Sequence, residues 1–256
     1  MWTALVREVS PTLAKCELSY LAREPIDLER AVAQHADYQQ ALQSLGCRVF
    51  ELPPEPTLPD AVFVEDTAIV LDEIAVLTRP GAPSRRDEVP SVAAALRTYR
   101  ALLAIEAPAT LDGGDVLRIA RTLYVGQSAR SNPDGILQLR QLLREYGYEV
   151  IGVRTRDCLH LKSAVTQVAD DCVLLQPGWV ERTQFAHLRM IDVDPTEAHA
   201  ANIVRVGDAL LMPANFPRTR QRLIDAGFAV STVDVSELQK AEGAVTCCSL
   251  LIRSDN

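Results

Sequence analysis

Apolar positions recur with a period near 3.6 in LERAVAQHADYQQALQSLG (28 to 46), EVPSVAAALRTYR (88 to 100) and PDGILQLRQLLREYG (133 to 147), which predicts three amphipathic helices. Weaker signals of the same kind occur around WVERTQFAHL and in FPRTRQRLIDAG, which ends at Gly227. Gly46, Gly147 and Gly227 stand where a helix C-terminus needs a residue tolerant of left-handed dihedrals. Each candidate helix runs at once into a strand-like segment: CRVFEL, ALLAIEA, YEVIGVR, RMIDVD and FAVSTVDV. Between these pairs lie further strand-like runs, AVFVEDTAIVL, EIAVLTR, DVLRIARTLYVG, DCVLLQP, NIVRVGD and ALLMPA, several of them joined by tight polar turns. Five such units fill the 256 residues, a repeat of about 50 residues, at the long end of the range for propellers and repeat arrays. A doubly wound sheet also alternates helix and strand, but it would not set two short strands before most helices. The pattern predicts an α/β fold, a radial array of five strand-strand-helix-strand units in a single domain spanning 1–256.

Composition adds exclusions. With 48% hydrophobic and 23% charged residues the chain can bury a sizeable core. Lys plus Arg total 26 against 34 for Asp plus Glu, a net charge of -8, and no basic block is dense enough to track a phosphate backbone, so nucleic acid is not expected as a partner. Arg7 and Glu8 interrupt the N-terminal segment before any secretory-type apolar core forms. No later run approaches the roughly 18 apolar residues of a membrane span, so a soluble, cytoplasmic protein is expected. Six cysteines are too sparse for a disulfide scaffold, and in a reducing compartment they turn attention to catalysis or metal binding. No C-x-x-C spacing occurs, which disfavours a structural zinc site, and no metal is expected.

Polar residues inside apolar runs are the candidates for chemistry. In FVEDTA, Glu65 and Asp66 are adjacent, with Asp60 shortly before; neighbours on a strand face opposite ways, so at least one carboxylate is expected to point inward. The bland alternative is an edge strand with one carboxylate paired to an arginine. Asp112 and Asp115 flank a Gly-Gly pair in TLDGGDV, a segment that would also serve as a plain turn. His160 sits between Leu159 and Leu161 in an expected apolar strand, where a histidine is more often a hydrogen-bonded structural residue than a functional one. Cys247 and Cys248 stand side by side in AVTCCSLL at an expected strand-loop junction, while Cys16, Cys47, Cys158 and Cys172 have surroundings that suit small buried residues. Arg85 and Arg130 lead into the second and third helices, where the helix dipole disfavours a cation, and such an arginine can clamp a carboxylate in bidentate fashion. Together these residue types point to nucleophilic catalysis on a cationic substrate that also carries a carboxylate. They do not name the substrate.

In order, FVEDTA, GAPSRR, LDGGDVL, GQSARSN, LHLKS, ELQKAEG and TCCS resemble the dimethylarginine dimethylaminohydrolases of the guanidino-group-modifying, or pentein, superfamily, and the resemblance covers essentially the whole chain. It implies a five-bladed α/β-propeller, which coincides with the five units counted above. It further implies Cys247 as nucleophile, His160 as general acid and base, and Asp112 as the carboxylate that orients His160. Asp66 with Glu65 would grip the guanidinium, Arg85 and Arg130 would bind the α-carboxylate, and Asp60 with the backbone at Leu18 would receive the α-amino group. Ala241 takes the place of a branched apolar residue before the family's acidic-Gly turn, and Glu242 follows where Asp is commoner. The implied reaction converts dimethylarginine or monomethylarginine to citrulline and the amine through a covalent thiouronium-type adduct, with no cofactor; the partner is a small methylated arginine, and a homodimer is compatible with the sequence. Two alternatives stand beside it. One is another guanidine hydrolase or an amidinotransferase of the superfamily, such as an arginine deiminase, although the chain lacks their usual large insertions. The other is a non-catalytic module that binds an arginine-like ligand.

Overall fold

The computed structural model describes residues 1–254. In chain order, strand β1 (Trp2–Arg7) is followed by helix α1 (Leu28–Ser44) and β2 (Cys47–Leu52), and then by β3 (Ala68–Val70), β4 (Ile74–Leu77), α2 (Val89–Leu96) and β5 (Ala101–Ala104). The third unit holds β6 (Val116–Ile119), β7 (Thr122–Gln127), α3 (Pro133–Leu143) and β8 (Glu149–Arg154). A short helix, α4 (Leu161–Ala164), precedes β9 (Val165–Ala169), β10 (Cys172–Leu175) and β11 (Arg189–Asp192). The last unit holds β12 (Val204–Val206), β13 (Ala209–Pro213), α5 (Pro217–Asp225) and β14 (Ala229–Val233), and the described chain ends through α6 (Ser236–Gln239) and β15 (Leu250–Arg253).

These strands form five three-stranded sheets among the described residues, the blades of the α/β-propeller that the repeat predicts. In each of the four units from β3 to β14 the first strand pairs antiparallel with the second, and the second pairs parallel with the third. A parallel neighbour cannot be reached by a tight turn, so a crossover must lie between the second and third strands; α2, α3 and α5 stand there in three of the units, and the fourth crosses with only a short 3-10 turn. The first blade has the same pattern but borrows its inner strand from the other end of the chain. There β15 lies antiparallel to β1, from Trp2 opposite Arg253 to Leu5 opposite Leu250, and β1 runs parallel to β2.

Helix boundaries follow local chemistry. Asp27 caps α1 by accepting the Arg30 N–H at 3.1 Å, and Asn132 caps α3 by accepting the Gly135 N–H at 2.8 Å, each worth about 1 kcal/mol. Gly46, Gly147 and Gly227 take φ of 88°, 72° and 92° just beyond α1, beyond the turn that extends α3, and beyond α5. Buried apolar side chains gather in clusters between neighbouring units; Leu117, Val153, Leu161, Val173 and Phe185, for example, come from the third and fourth. All six cysteines are free, and no helix is long and apolar enough to cross a membrane among the described residues.

Three local expectations are corrected. The WVERTQFAHL stretch forms only a 3-10 turn at Arg182–Phe185. FVEDTA is not extended: Val64–Thr67 is a 3-10 turn, both carboxylates are buried, and the strand begins at Ala68. His160 is not in a strand either, for it is the N-cap residue of α4.

Candidate active site

The inner strands β3, β6, β9, β12 and β15 each begin just after a short segment with a buried polar side chain. The segments carry Glu65 and Asp66, Asp112 and Asp115, His160, Asn202, and Thr246 with Cys247. Because the five strands share one orientation in their blades, these segments gather at one end of the propeller. A narrow cavity of about 20 Å³ opens there, lined by Asp60, Asp66, Arg85, Arg130, His160 and Cys247 together with Glu17, Phe63, Leu159, Ala241, Glu242 and Gly243. That volume holds about one water, so a larger ligand needs the covering segment around Glu17 to move.

His160 is buried between two carboxylates: Nε2 is hydrogen-bonded to Asp112 Oδ2 at 3.0 Å, and Nδ1 lies 3.8 Å from Asp66 Oδ1. Burial alone would lower the imidazole pKa, but Asp66, the Asp112 hydrogen bond and Asp115 outweigh it and raise it to about 9. Asp112, fully enclosed, also accepts the Gly81 N–H at 2.8 Å through Oδ1. Gly114 is required beside it, since a Cβ there would stand 2.6 Å from His160 Nδ1 and 2.7 Å from Asp66 Oδ1. Asp115 anchors the histidine's helix by accepting the Leu161 N–H at 3.0 Å and the hydroxyls of Ser128 and Ser131. Its own burial pushes its pKa up to about 6.

Cys247 lies in an irregular turn ahead of β15, half-buried, while Cys248 is fully buried with its Sγ 3.4 Å from the Ala244 carbonyl. The two thiols differ in access because of this turn and not because of strand alternation. Desolvation, with Glu65 and Asp66 nearby, pushes the Cys247 thiol up to about 12. Asp66 is held well below the usual carboxylate range, since His160 and Arg85 outweigh its desolvation.

Arg85 lines the cavity but is heavily committed. It donates Nε and Nη2 to the two oxygens of Glu88, Nη1 to Asp66, and Nη2 to the carbonyls of Asp60 and Phe63. Arg130 is freer, with Nη2 donating to Ser19 Oγ at 3.1 Å and Nη1 4.0 Å from Asp112. Asp60 accepts the Glu17 N–H at 3.0 Å, which brings the chain around Leu18 to the cavity's edge; the Leu18 side chain packs against the apolar cluster shared by the first and last units.

Glu65 does not join Asp66 at the cavity. Its oxygens are taken by Lys162 Nζ at 2.6 Å and Thr246 Oγ1 at 2.8 Å, and it lines instead a separate cavity of about 860 Å³. The lysine is the physical reason: a carboxylate this deeply buried needs a charge partner, and Lys162 supplies it. Asp66, Asp112 and His160 offer ligand atoms within 4.8 Å of one another and could in geometry hold an ion. Those atoms already bond Arg85, Gly114, Gly81 and each other, an arrangement suited to moving protons.

A family model for N,N dimethylarginine dimethylhydrolase, eukaryotic, matches residues 19–253. The chain belongs to this family. It is 40% identical over 253 residues to the N(G),N(G)-dimethylarginine dimethylaminohydrolase of Streptomyces coelicolor, covering 98% of this chain and 96% of that one. A solved structure of the Pseudomonas aeruginosa family member, a cysteine-to-serine mutant complexed with citrulline, superimposes with a TM-score of 0.93 at 32% identity, covering 98% of this chain and 100% of that one. A histidine-to-glycine variant of a dimethylarginine dimethylaminohydrolase, solved as an adduct with S-methyl-L-thiocitrulline, gives a TM-score of 0.93 at 33% identity with the same coverage. Fold and family thus agree with the resemblance carried by the seven motifs. Glu88, Lys162, Thr246 and Asn202 support the site without having been singled out for a role in it. Only burial and bonding reveal them, because in the sequence each is an ordinary polar residue at the edge of an apolar run.

Proposed function

We propose that this protein hydrolyses Nω-methylated arginines, dimethylarginine and monomethylarginine, to citrulline and the corresponding amine, the whole chain acting as one hydrolase unit. The observation that carries the reading is the convergence of Cys247, His160 and Asp66 on one cavity, with Asp112 behind the histidine, in a member of this family. Asp66 receives the guanidinium, Asp60 the α-amino group beside the backbone at Leu18, and Arg130 the α-carboxylate. Arg85 acts chiefly by holding Asp66 in place, its pairing with both Glu88 and Asp66 leaving it little capacity for a third anion. Ala241 lines the same cavity beside Glu242.

In the resting site the thiol is neutral and the imidazole protonated, as their raised pKa values dictate. An entering guanidinium offsets the carboxylates that hold the thiol up, and the thiol proton leaves to solvent. Cys247 Sγ then bonds to the guanidinium carbon. The C–N bond to the methylated nitrogen breaks as His160 donates its proton to the departing amine, leaving a thiouronium adduct. His160, now neutral, takes a proton from water, the resulting hydroxide equivalent adds to the carbon, and the C–S bond breaks as the hydroxyl proton passes to the departing sulfur, which frees neutral citrulline and restores the resting thiol. Six free cysteines support a reducing, cytoplasmic setting.

Citrulline release from asymmetric dimethylarginine, monomethylarginine and arginine, compared side by side, tests the proposal. Turnover of the methylated substrates that disappears in Cys247→Ser is expected. Faster turnover of arginine than of either methylated form would favour a deiminase, and binding without turnover a non-catalytic module.

A further inference from the structure

Four of the five segments that precede inner strands carry the chemistry proposed above; the fifth, before β12, carries Asn202. Its side chain is buried, with 3% of its surface exposed, and every bond it makes reaches another of these segments. Oδ1 accepts the Thr246 N–H at 3.0 Å. Nδ2 donates to Thr246 Oγ1 at 2.9 Å and to the Lys162 carbonyl at 3.1 Å. Thr246 immediately precedes Cys247, and Lys162 belongs to the helix that His160 caps.

We infer that Asn202 is a positioning residue whose carboxamide fixes the segment presenting Cys247 against the segment presenting His160. The inference rests on the hydrolase reading above. Only a carboxamide meets the demand at this point, which is for one acceptor toward an N–H and two donors toward a carbonyl and a hydroxyl. The hydroxyl has no proton to spare, because Thr246 Oγ1 donates it to Glu65 Oε2. The chain of donors therefore has one direction, from Asn202 through Thr246 to Glu65, with Lys162 closing on the same carboxylate. The main chain adds a further tie, the Glu65 N–H donating to the Cys247 carbonyl at 3.1 Å. An aspartate at 202 would keep the acceptor but set a lone pair against the Lys162 carbonyl and the Thr246 oxygen. The two segments would then separate by a fraction of an ångström, and a displacement of about 1 Å can cost on the order of 100-fold in rate.

The test compares wild type with Asn202→Asp and Asn202→Ser by three measurements: kcat and KM on dimethylarginine, the rate of Cys247 alkylation by iodoacetamide, and the thermal midpoint. A fall in kcat of at least 10-fold, with KM within about threefold and a folded, cooperatively melting protein, is expected. Iodoacetamide needs no histidine to protonate a leaving group, so alkylation should change less than kcat. Folded variants with kcat near wild type, or with kcat and alkylation falling in parallel, would overturn the inference. If both variants fail to fold, Thr246→Val and Thr246→Ser carry the test from the other end: valine should lose kcat in the same way and serine should retain it, and equal behaviour of the two would overturn it. Absence of turnover in the wild type would instead sink the hydrolase reading, a result distinguishable from all of these.

Discussion

Cys247 and His160 share a cavity without forming a thiolate–imidazolium pair, the imidazole being protonated while the thiol stays neutral, because the carboxylates around them act on both. Glu65 and Asp66 disfavour a thiolate, and Asp66, Asp112 and Asp115 favour an imidazolium. In the free protein, alkylation of Cys247 by iodoacetamide is therefore expected to keep rising to at least pH 10, with the label on Cys247 and not on the enclosed Cys248. Peptide mapping across a pH series checks both points; a plateau near neutrality, or label on Cys248, would contradict them. The same shifts have a stability sign. The folded pKa of His160 lies above its ordinary value of 6.5, so its contribution is fully present below about pH 6.5 and is lost as pH rises through about 9. Asp66 works the other way, contributing above its ordinary carboxylate range and losing that contribution under acid. In urea melts, His160→Gln should flatten the decline of stability between pH 6.5 and 9, and an unchanged slope would show that other groups cause it.

Among the elements, the segment that covers the cavity has little regular structure and is held from outside. Glu242 accepts the N–H groups of Ser19, Tyr20 and Leu21 at 2.5 to 3.0 Å, and it does so from a left-handed backbone with φ of 59°, which costs a non-glycine residue roughly 1 kcal/mol or more. Hydrogen bonds to a charged group repay such strain. Glu242→Ala should release the segment, raising KM for dimethylarginine by roughly 10-fold and exposing the chain near Arg23 to trypsin, with kcat less affected. Steady-state kinetics with a timed digest measures this, and unchanged KM with unchanged cleavage would mean that the segment holds itself. The sequence marked Glu242 as a departure from the family's usual aspartate, yet its role in clamping the cover was not legible, since the three amides it binds lie more than 200 residues away. The 3-10 turn at Val64–Thr67 was illegible for a related reason: its apolar neighbours read as a strand, and tertiary partners for Glu65 and Asp66, namely Lys162, Thr246 and Arg85, override that propensity.

Over the whole molecule, the repeat could be read from the sequence because four of its units are local: hairpin, crossover segment (a helix in three of the four) and parallel strand follow one another within about 50 residues. The closure could not, because β15 and β1 meet only when the chain's two ends come together, and no local pattern encodes that pairing. Closure also sets the site. Cys247 lies just ahead of β15, so the antiparallel register with β1 decides where the nucleophile turn sits, while Tyr38 on α1 spans that turn from outside, its hydroxyl 2.7 Å from the Val245 carbonyl and from Ser249 Oγ. Ile252, fully buried between the first and second units, is the residue through which to test this. Ile252→Asp places a carboxylate in an apolar cluster at a cost of several kcal/mol, on the order of a buried unpaired polar group or more. A lower thermal midpoint is expected on that ground alone. If closure positions the nucleophile, the folded fraction should also lose the preference for Cys247 over Cys248 in limiting alkylation, and kcat should fall further than the loss of folded protein accounts for. A variant that melts earlier but keeps both selective labelling and kcat per folded molecule would show instead that Asn202, Glu65 and Tyr38 hold the turn without the closing strand.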